Sequence, residues 1–152
     1  MKSGSILRQE ITEHMIAAMR SGDTKRRDAI RLLQAAIKQR EIDERIEMDD
    51  VMVIVVIEKM IKQRKDSITQ YVAAKREDLA DIERYEVGVL QAYMPKALND
   101  SEVESIVEEV ISLIGAKKPQ EMGQVIAVLK PKLAGRADMG KVAALVKSRL
   151  II

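Results

Sequence analysis

Apolar residues recur at intervals of three and four along nearly the whole chain, and this spacing places them on one face of a helix. The first stretch shows it in the series Leu7, Ile11, Met15, Ala18 and Met19. Gly22 is suited to the left-handed conformation at which helices often end, and Asp23 can cap the amides of a second helix. The spacing therefore predicts an all-α fold of consecutive amphipathic helices.

One segment, residues 51–57, is rich in β-branched side chains and is compatible with a buried strand. However, the helical spacing continues through Met60 and Ile68 without a turn residue, and a lone strand would have no partner elsewhere in the chain. We therefore predict a helix that starts after Met48, with Asp49 and Asp50 at the positive end of the helix dipole. The same apolar run is far shorter than the ~20 residues that a membrane span requires.

A domain boundary is predicted at residues 95–100. Pro95 should end a fourth helix that runs roughly from Glu77 to Tyr93, because the residue before a proline disfavours the α conformation. Ser101 and Glu104 have the spacing of a capping box, so a new helix is expected there. The prediction is an N-terminal bundle of about four helices (residues 1–94), a linker (95–100) and a smaller three-helix bundle (101–152).

Three further residues mark the ends of the helices in the smaller bundle. Gly115 is suited to end its first helix and Pro119 to begin the next, while Asp138 can cap the last one.

The amino-acid composition and the absence of known motifs exclude several kinds of catalytic and ligand-binding site. The 152-residue chain has no Cys, Phe or Trp, so it contains neither a thiolate nucleophile nor a broad aromatic platform for stacked bases. The one histidine, His14, lies four residues after Glu10, but a usual metal site needs three or four ligands. No nucleotide-binding glycine motif or serine nucleophile motif occurs. We predict no catalytic residue, no metal and no cofactor.

Residues 1–10 lack the pattern of a secretory signal peptide, so the expected location is the cytoplasm, without membrane attachment. The sequence leaves the oligomeric state open.

Positive charge is concentrated near the C-terminus. Residues 1–94 contain 17 basic and 17 acidic residues, whereas residues 119–152 contain six basic and two acidic ones. The six are Lys130, Lys132, Arg136, Lys141, Lys147 and Arg149. This part of the chain is the best candidate to face an anionic partner, although a merely solvated face is the alternative. In the first 94 residues, two further basic strips have acidic neighbours, which favours ordinary surface ion pairs. They are Arg26, Arg27, Arg31 and Lys38, and Lys62, Arg64, Lys65, Lys75 and Arg76.

Two short segments in the same region look alike, Glu121-Met-Gly-Gln-Val and Asp138-Met-Gly-Lys-Val. Each is expected to start a helix. Gly123 and Gly140 would let a phosphate approach the free amides of a first helical turn. The alternative is that the two glycines permit close packing between helices of the small bundle.

Three stretches give the chain a family resemblance: residues 27–42, residues 61–95 and the tail from Met122 to Asp138. In this order they resemble the GatB/YqeY family, and specifically its small stand-alone YqeY-like members. The resemblance implies an all-helical fold and a relation to the tail of the B subunit of glutamine-dependent aminoacyl-tRNA amidotransferases, a module that contacts tRNA. Relatives commonly have Met-Gly-Lys where this chain has Met122-Gly123-Gln124, so one cation is missing there and the first glycine segment is the weaker candidate for phosphate contact.

Three functions follow as hypotheses. The first is a non-catalytic accessory module that binds tRNA or aminoacyl-tRNA through Lys130, Lys132, Arg136, Lys141, Lys147, Gly123 and Gly140. The second is a protein–protein adaptor, for example to the translation machinery, that uses the apolar terminus Leu150-Ile151-Ile152 and the many methionines. The third is the amidotransferase-like activity of the family label, a carbon–nitrogen ligase with glutamine as amido-N-donor. The sequence contains no recognisable parts for this third function.

Overall fold

The computed structural model describes residues 5–150, which contain seven α-helices, one short 3-10 helix and no strand. The prediction of an all-α fold is confirmed. The helices are α1 (Ile6–Ser21), α2 (Thr24–Glu44), α3 (Asp50–Ala73), α4 (Glu77–Gln91), α5 (Asp100–Ile114), α6 (Met122–Leu133) and α7 (Met139–Arg149). The 3-10 helix, Pro119–Glu121, leads directly into α6. The chain divides into two compact units, Met1–Met94 and Pro95–Ile152.

Most of the predicted helix ends are confirmed. Gly22 ends α1 at a φ of 75°, and the Asp23 carboxylate accepts a hydrogen bond from the Arg26 amide at 3.1 Å. Asp49 caps α3 by accepting from the Met52 amide at 2.9 Å, and residues 51–57 are helical. At Asp23 and Asp49 a side-chain oxygen satisfies an amide that has no partner inside the helix.

The capping box was predicted in the wrong place. Helix α5 is capped by Asn99, whose side chain accepts from the Glu102 amide at 2.8 Å, while Glu102 accepts from the Asn99 amide at 3.2 Å. The helix therefore begins one residue before Ser101. Asn caps a helix as well as Ser does, and the same polar-x-x-Glu pattern occurs two residues earlier in the chain.

The first unit has a core drawn from all four of its helices. The central buried side chains are Ile11, Ile30, Leu33, Ile37, Val53, Ile57 and Leu90. Tyr93 also belongs to this core. It lies beyond the end of α4, which stops at Gln91 rather than at Tyr93 as predicted. An ion pair at 2.6 Å joins Arg64 of α3 to Glu86 of α4, and both side chains are mostly buried.

The second unit has its own core, formed by α5, α6 and α7. Its buried side chains are Val107, Val110, Val125, Leu129, Leu133, Val142, Val146 and Leu150. Leu150 is fully buried, so it is part of this core and not a free apolar end for a partner. Ile151 and Ile152 lie outside the described residues. The loss of Leu150 removes one support of the adaptor hypothesis.

Candidate nucleic-acid interface

The basic residues of the second unit lie on α6, on α7 and in the turn between them. Lys130 and Lys132 belong to the last turns of α6, and both are exposed. On α7, Lys141 lies in the first turn and Lys147 in the last, and both are also exposed. Arg136 lies in the connecting turn and is half-buried.

Arg136 binds the segment that leads into α5. Its Nε donates to the Lys96 carbonyl at 3.1 Å, and its own carbonyl accepts from the Leu98 amide at 2.9 Å. This pair of bonds satisfies two backbone groups in a region that has no regular secondary structure. Arg136 therefore has a structural role that sequence reasoning missed, because its partners lie about 40 residues earlier in the chain.

The two glycines do not serve close helix packing. Both are exposed, and a Cβ built on Gly123 would meet no atom within 4 Å. A Cβ on Gly140 would lie 3.1 Å from the Asp138 carboxylate, which belongs to its own helix cap. Gly123 therefore leaves open space at the surface of the unit.

The first turn of α7 has less free hydrogen-bonding capacity than its glycine suggests. The Asp138 carboxylate accepts from the Gly140 amide at 2.8 Å and from the Lys141 amide at 3.3 Å. These amides are thus occupied, and a carboxylate stands where a phosphate would have to bind. The glycine amide of α7 is therefore a weaker anion site than the exposed lysines.

The likeness between the two glycine segments extends over thirteen residues, from Glu121 to Leu133 and from Asp138 to Leu150. Six of the thirteen positions are identical, and the two copies have the same burial at all positions except Glu121/Asp138 and Val128/Leu145. The core positions Val125, Leu129 and Leu133 of the first copy correspond to Val142, Val146 and Leu150 of the second. The basic positions Lys130 and Lys132 correspond to Lys147 and Arg149.

Each copy presents one exposed stripe of a glycine, an alanine and a lysine. In α6 the stripe is Gly123, Ala127 and Lys130, and in α7 it is Gly140, Ala144 and Lys147. Residues four and seven positions apart share a helix face, and all six residues are exposed. We call these six residues the repeated stripe. It could have been found in the sequence by extending the glycine-segment alignment by eight residues.

The remaining cations point elsewhere. Lys132 follows Lys130 by two positions, which is about 200° around the helix, so the two side chains leave α6 on opposite sides. Arg149 occupies the equivalent position on α7 and forms an ion pair with Glu108 at 2.6 Å. The six predicted basic residues therefore do not form a single patch.

Ion pairing differs between arginines and lysines: among the described residues, no lysine of either unit has a carboxylate oxygen within 4 Å. In the first unit most arginines are paired with carboxylates: Arg8 with Glu41, Arg27 with Asp28, Arg40 with Glu44, Arg64 with Glu86, Arg76 with Asp78, and Arg84 with Glu77 and Asp81. The pairing predicted for the two basic strips of this unit is confirmed for Arg27, Arg64 and Arg76. It is wrong for the other members, Arg26, Arg31, Lys38, Lys62, Lys65 and Lys75, which have no carboxylate oxygen within 4 Å among the described residues. Among residues 95–150, Arg149 alone has a carboxylate oxygen within 4 Å. The lysines of the repeated stripe therefore keep their charge available.

A groove of about 390 Å³ lies beside the N-terminus of α7. Arg136 and Lys141 line it together with the carboxylates Asp100, Glu104 and Asp138. Because three acidic groups accompany two basic ones, the groove is not a site of concentrated positive potential. This is a second reason to place anion contact on the repeated stripe.

His14 has a partner inside the protein. Its Nδ1 lies 2.7 Å from the Tyr93 hydroxyl, and the Glu10 carboxylate lies 4.0 Å from its Nε2. Between residues 5 and 150, no three His, Asp or Glu side chains come together as metal ligands could. Within the same range, no helix has the length and apolar character to cross a bilayer.

Comparison with known proteins gives a consistent result. The family profile described as Yqey-like protein matches residues 8–150. A protein of Kluyveromyces lactis named Altered inheritance of mitochondria protein 41, mitochondrial, is 33% identical over 117 residues, which cover 74% of this chain and 60% of that protein. A protein of the same name from Saccharomyces cerevisiae is 34% identical over 115 residues, which cover 75% of this chain and 60% of that protein. The one from Vanderwaltozyma polyspora is 32% identical over 104 residues, which cover 66% of this chain and 56% of that protein.

The chain thus spans about three fifths of the length of these curated relatives. The profile match nevertheless covers nearly all of the chain, from the start of α1 to the last core residue after α7. The chain therefore belongs to the YqeY-like protein family.

Proposed function

We propose that the chain is a non-catalytic accessory module that binds tRNA or aminoacyl-tRNA through its C-terminal unit. The observation that carries the proposal is the repeated stripe, where Lys130 and Lys147 are exposed and have no carboxylate within 4 Å among the described residues. A polyanion that binds such lysines releases its condensed counterions, which supplies affinity without sequence readout.

The small residues of the stripe have a physical part in this contact. Gly123 and Ala127 present almost no side chain on the face that carries Lys130, so a sugar-phosphate strand can lie close to α6. Lys130 lies about 10 Å further along the helix axis, since it follows Gly123 by seven residues. On α7 the Asp138 carboxylate lies beside Gly140, so close approach of a strand is limited to Ala144 and Lys147.

The geometry reduces the number of phosphate contacts that one RNA surface can make. Lys132 points away from the stripe, Arg149 is paired, and Arg136 is bonded to the Lys96 carbonyl. With two or three phosphate contacts, the slope of log affinity against log salt should be about −2 to −3, at ~0.9 per contact. Contact by all six cations would give about −5.

The test is tRNA binding by the full chain at several salt concentrations. The double variant Lys130→Gln/Lys147→Gln should make the slope shallower by about 1.8. The matched control is the pair of single variants Lys130→Gln and Lys132→Gln, each of which removes one charge from α6, on opposite sides. The first should make the slope shallower by about 0.9, and the second should leave it nearly unchanged. Equal slopes for wild type and the double variant would refute the proposed interface.

A second candidate function is a protein–protein adaptor. It is favoured by two exposed apolar side chains in the same unit, Leu113, which is 76% exposed, and Val128, which is 40% exposed. It predicts a complex with a protein that survives nuclease treatment and is lost in the variant Leu113→Ser. Recovery of RNA alone would favour the first proposal.

Amide-nitrogen transfer is not part of the proposal. Purified chain supplied with glutamine and Glu-tRNA or Asp-tRNA should leave both tRNAs unconverted. A cytoplasmic location also stays a proposal, since the relatives carry the word mitochondrial in their names.

A further inference from the structure

The N-terminal unit contains a groove between α2 and α4, on the unit that the proposed tRNA interface does not use. Its volume is about 340 Å³, comparable to the smaller ligand pockets of proteins. The residues that line it are Arg26, Arg84, Tyr85, Gly88, Val89 and Ala92.

Gly88 opens this groove, and the fold does not require a glycine there. It lies inside α4, where a glycine destabilises a helix relative to alanine. A Cβ built at this position would meet no atom within 4 Å, so neither close packing nor a turn accounts for the glycine. Its effect is to leave the helix backbone accessible from the groove.

Positive charge without a carboxylate partner lies at the α2 side of the groove. Arg26 and Lys25 are exposed, and neither has a carboxylate oxygen within 4 Å among the described residues. Arg84, by contrast, is held by Glu77 and Asp81, each at 2.8 Å. An anion in the groove would therefore be attracted toward Arg26 and Lys25.

Aromatic surface lies next to this charge. Tyr85 lines the groove, and the Lys25 ammonium lies 4.2 Å from the centroid of its ring. Burial, with a smaller contribution from the Asp23 carboxylate, raises the pKa of Tyr85, and burial also raises the pKa of Tyr93. Both phenols therefore stay neutral near pH 7, so neither repels an anion.

We propose that this groove binds one nucleotide, with its phosphate at Arg26 and Lys25 and its base against Tyr85 over Gly88. The two cations Arg26 and Lys25 suit the phosphate, although the Asp23 carboxylate lies near Tyr85. The uncovered backbone at Gly88 admits a flat ring to contact distance. The nucleotide is either free or part of an RNA strand. The site goes beyond the proposed function, because it requires none of the lysines of the C-terminal unit.

The test uses the full chain with two variants at one position, Gly88→Ala and Gly88→Leu. Both replace glycine by a better helix former at a site with free space, so both should fold with a melting temperature at or above that of wild type. The alanine is small enough to leave the groove open, whereas the leucine side chain fills it. Binding is measured by NMR titration with UMP, AMP, inorganic phosphate and a short single-stranded oligoribonucleotide.

The expected result is nucleotide binding that shifts the ring signals of Tyr85 in wild type and in Gly88→Ala. In Gly88→Leu, nucleotide affinity should fall about five- to 150-fold, which is the range of one lost base contact, while the affinity for inorganic phosphate stays unchanged. Arg26→Gln should weaken all four ligands. Tighter binding of the oligoribonucleotide than of UMP assigns the site to RNA, and equal binding assigns it to free nucleotides.

Two results would overturn the site. One is the same nucleotide affinity in Gly88→Leu as in wild type, and the other is no shift of the Tyr85 signals with any of the four ligands. The variant Lys130→Gln/Lys147→Gln should bind UMP with the affinity of wild type. The UMP titration therefore tests this groove separately from the tRNA interface.

Discussion

The substitution Leu129→Ala should unfold the C-terminal unit while leaving the N-terminal unit folded. Leu129 is fully buried, and every buried residue that packs with it belongs to the second unit. The core of the first unit is a separate cluster with no residue in common. Damage to one core should therefore stay in that unit.

The size of the effect follows from burial. Truncating a fully buried leucine to alanine costs about 2–5 kcal/mol, since the lost burial is accompanied by a cavity. A unit of roughly 60 residues is stable by about 3–9 kcal/mol. The substitution should thus remove a large part, or all, of the stability of α5, α6 and α7. The first unit has roughly 90 residues and keeps its full stability.

Hydrogen exchange followed by mass spectrometry measures the protection of backbone amides in each of the two units separately. In Leu129→Ala, amides of α5 to α7 should exchange much faster than in wild type, and amides of α2 and α3 should keep their protection. The control is Leu113→Ala, the same substitution at a leucine that is 76% exposed in the same unit, with an expected change within about 0.5 kcal/mol. An equal loss of protection in both units would refute the independence of the two cores.

Two further predictions concern single residues. Burial opposes ionisation of Glu41, but hydrogen bonds from Arg8 and from the Met48 amide outweigh it and lower the pKa of Glu41 below 4.5. Its contribution to stability is therefore complete above pH 4.5 and is lost as the pH falls through the lowered pKa. Glu41→Gln should cost about 1–3 kcal/mol in urea unfolding at pH 7 and less at pH 3, and an equal cost at both would contradict this. Gly123→Ala should raise the stability of the C-terminal unit by about 0.5–1 kcal/mol, because its Cβ has free space, and should weaken tRNA binding if the backbone there approaches RNA closely. A drop in melting temperature would show that the glycine is needed by the fold.

Much of the fold was predictable because it depends on local chemistry. Gly22, Asp23 and Asp49 act on amides or carbonyls within a few residues, and the pattern of apolar spacing shows which face is buried. The capping box failed for a local reason too: two overlapping frames satisfy the same rule, and Asn99 uses the earlier one. The choice between these two overlapping capping boxes depends on side-chain packing, which the spacing of residues along the sequence does not show.

The candidate site was less predictable because the presence of a charged residue does not show in which direction its side chain leaves the helix. The sequence shows six cations in one region, but the helix turns Lys132 away from Lys130, and a carboxylate on α5 pairs with Arg149. Arg136 reaches a backbone carbonyl that follows the domain boundary. These outcomes depend on three-dimensional neighbours, so only the structure separates the available lysines from the occupied arginines.

The repeat within the C-terminal unit distinguishes what folding requires from what it does not. The identical valine and leucine positions are explained by burial, because Val125 and Leu133 and their counterparts are all core residues. The other identical positions include the exposed glycine, alanine and lysine of the repeated stripe, for which packing gives no reason. Gly123 has empty space at its Cβ and carries the helix cost of a glycine, while Lys130 has no carboxylate within 4 Å in residues 95–150. The proposed RNA contact would account for these matching surface positions, because a phosphate backbone presents the same chemistry to each helix.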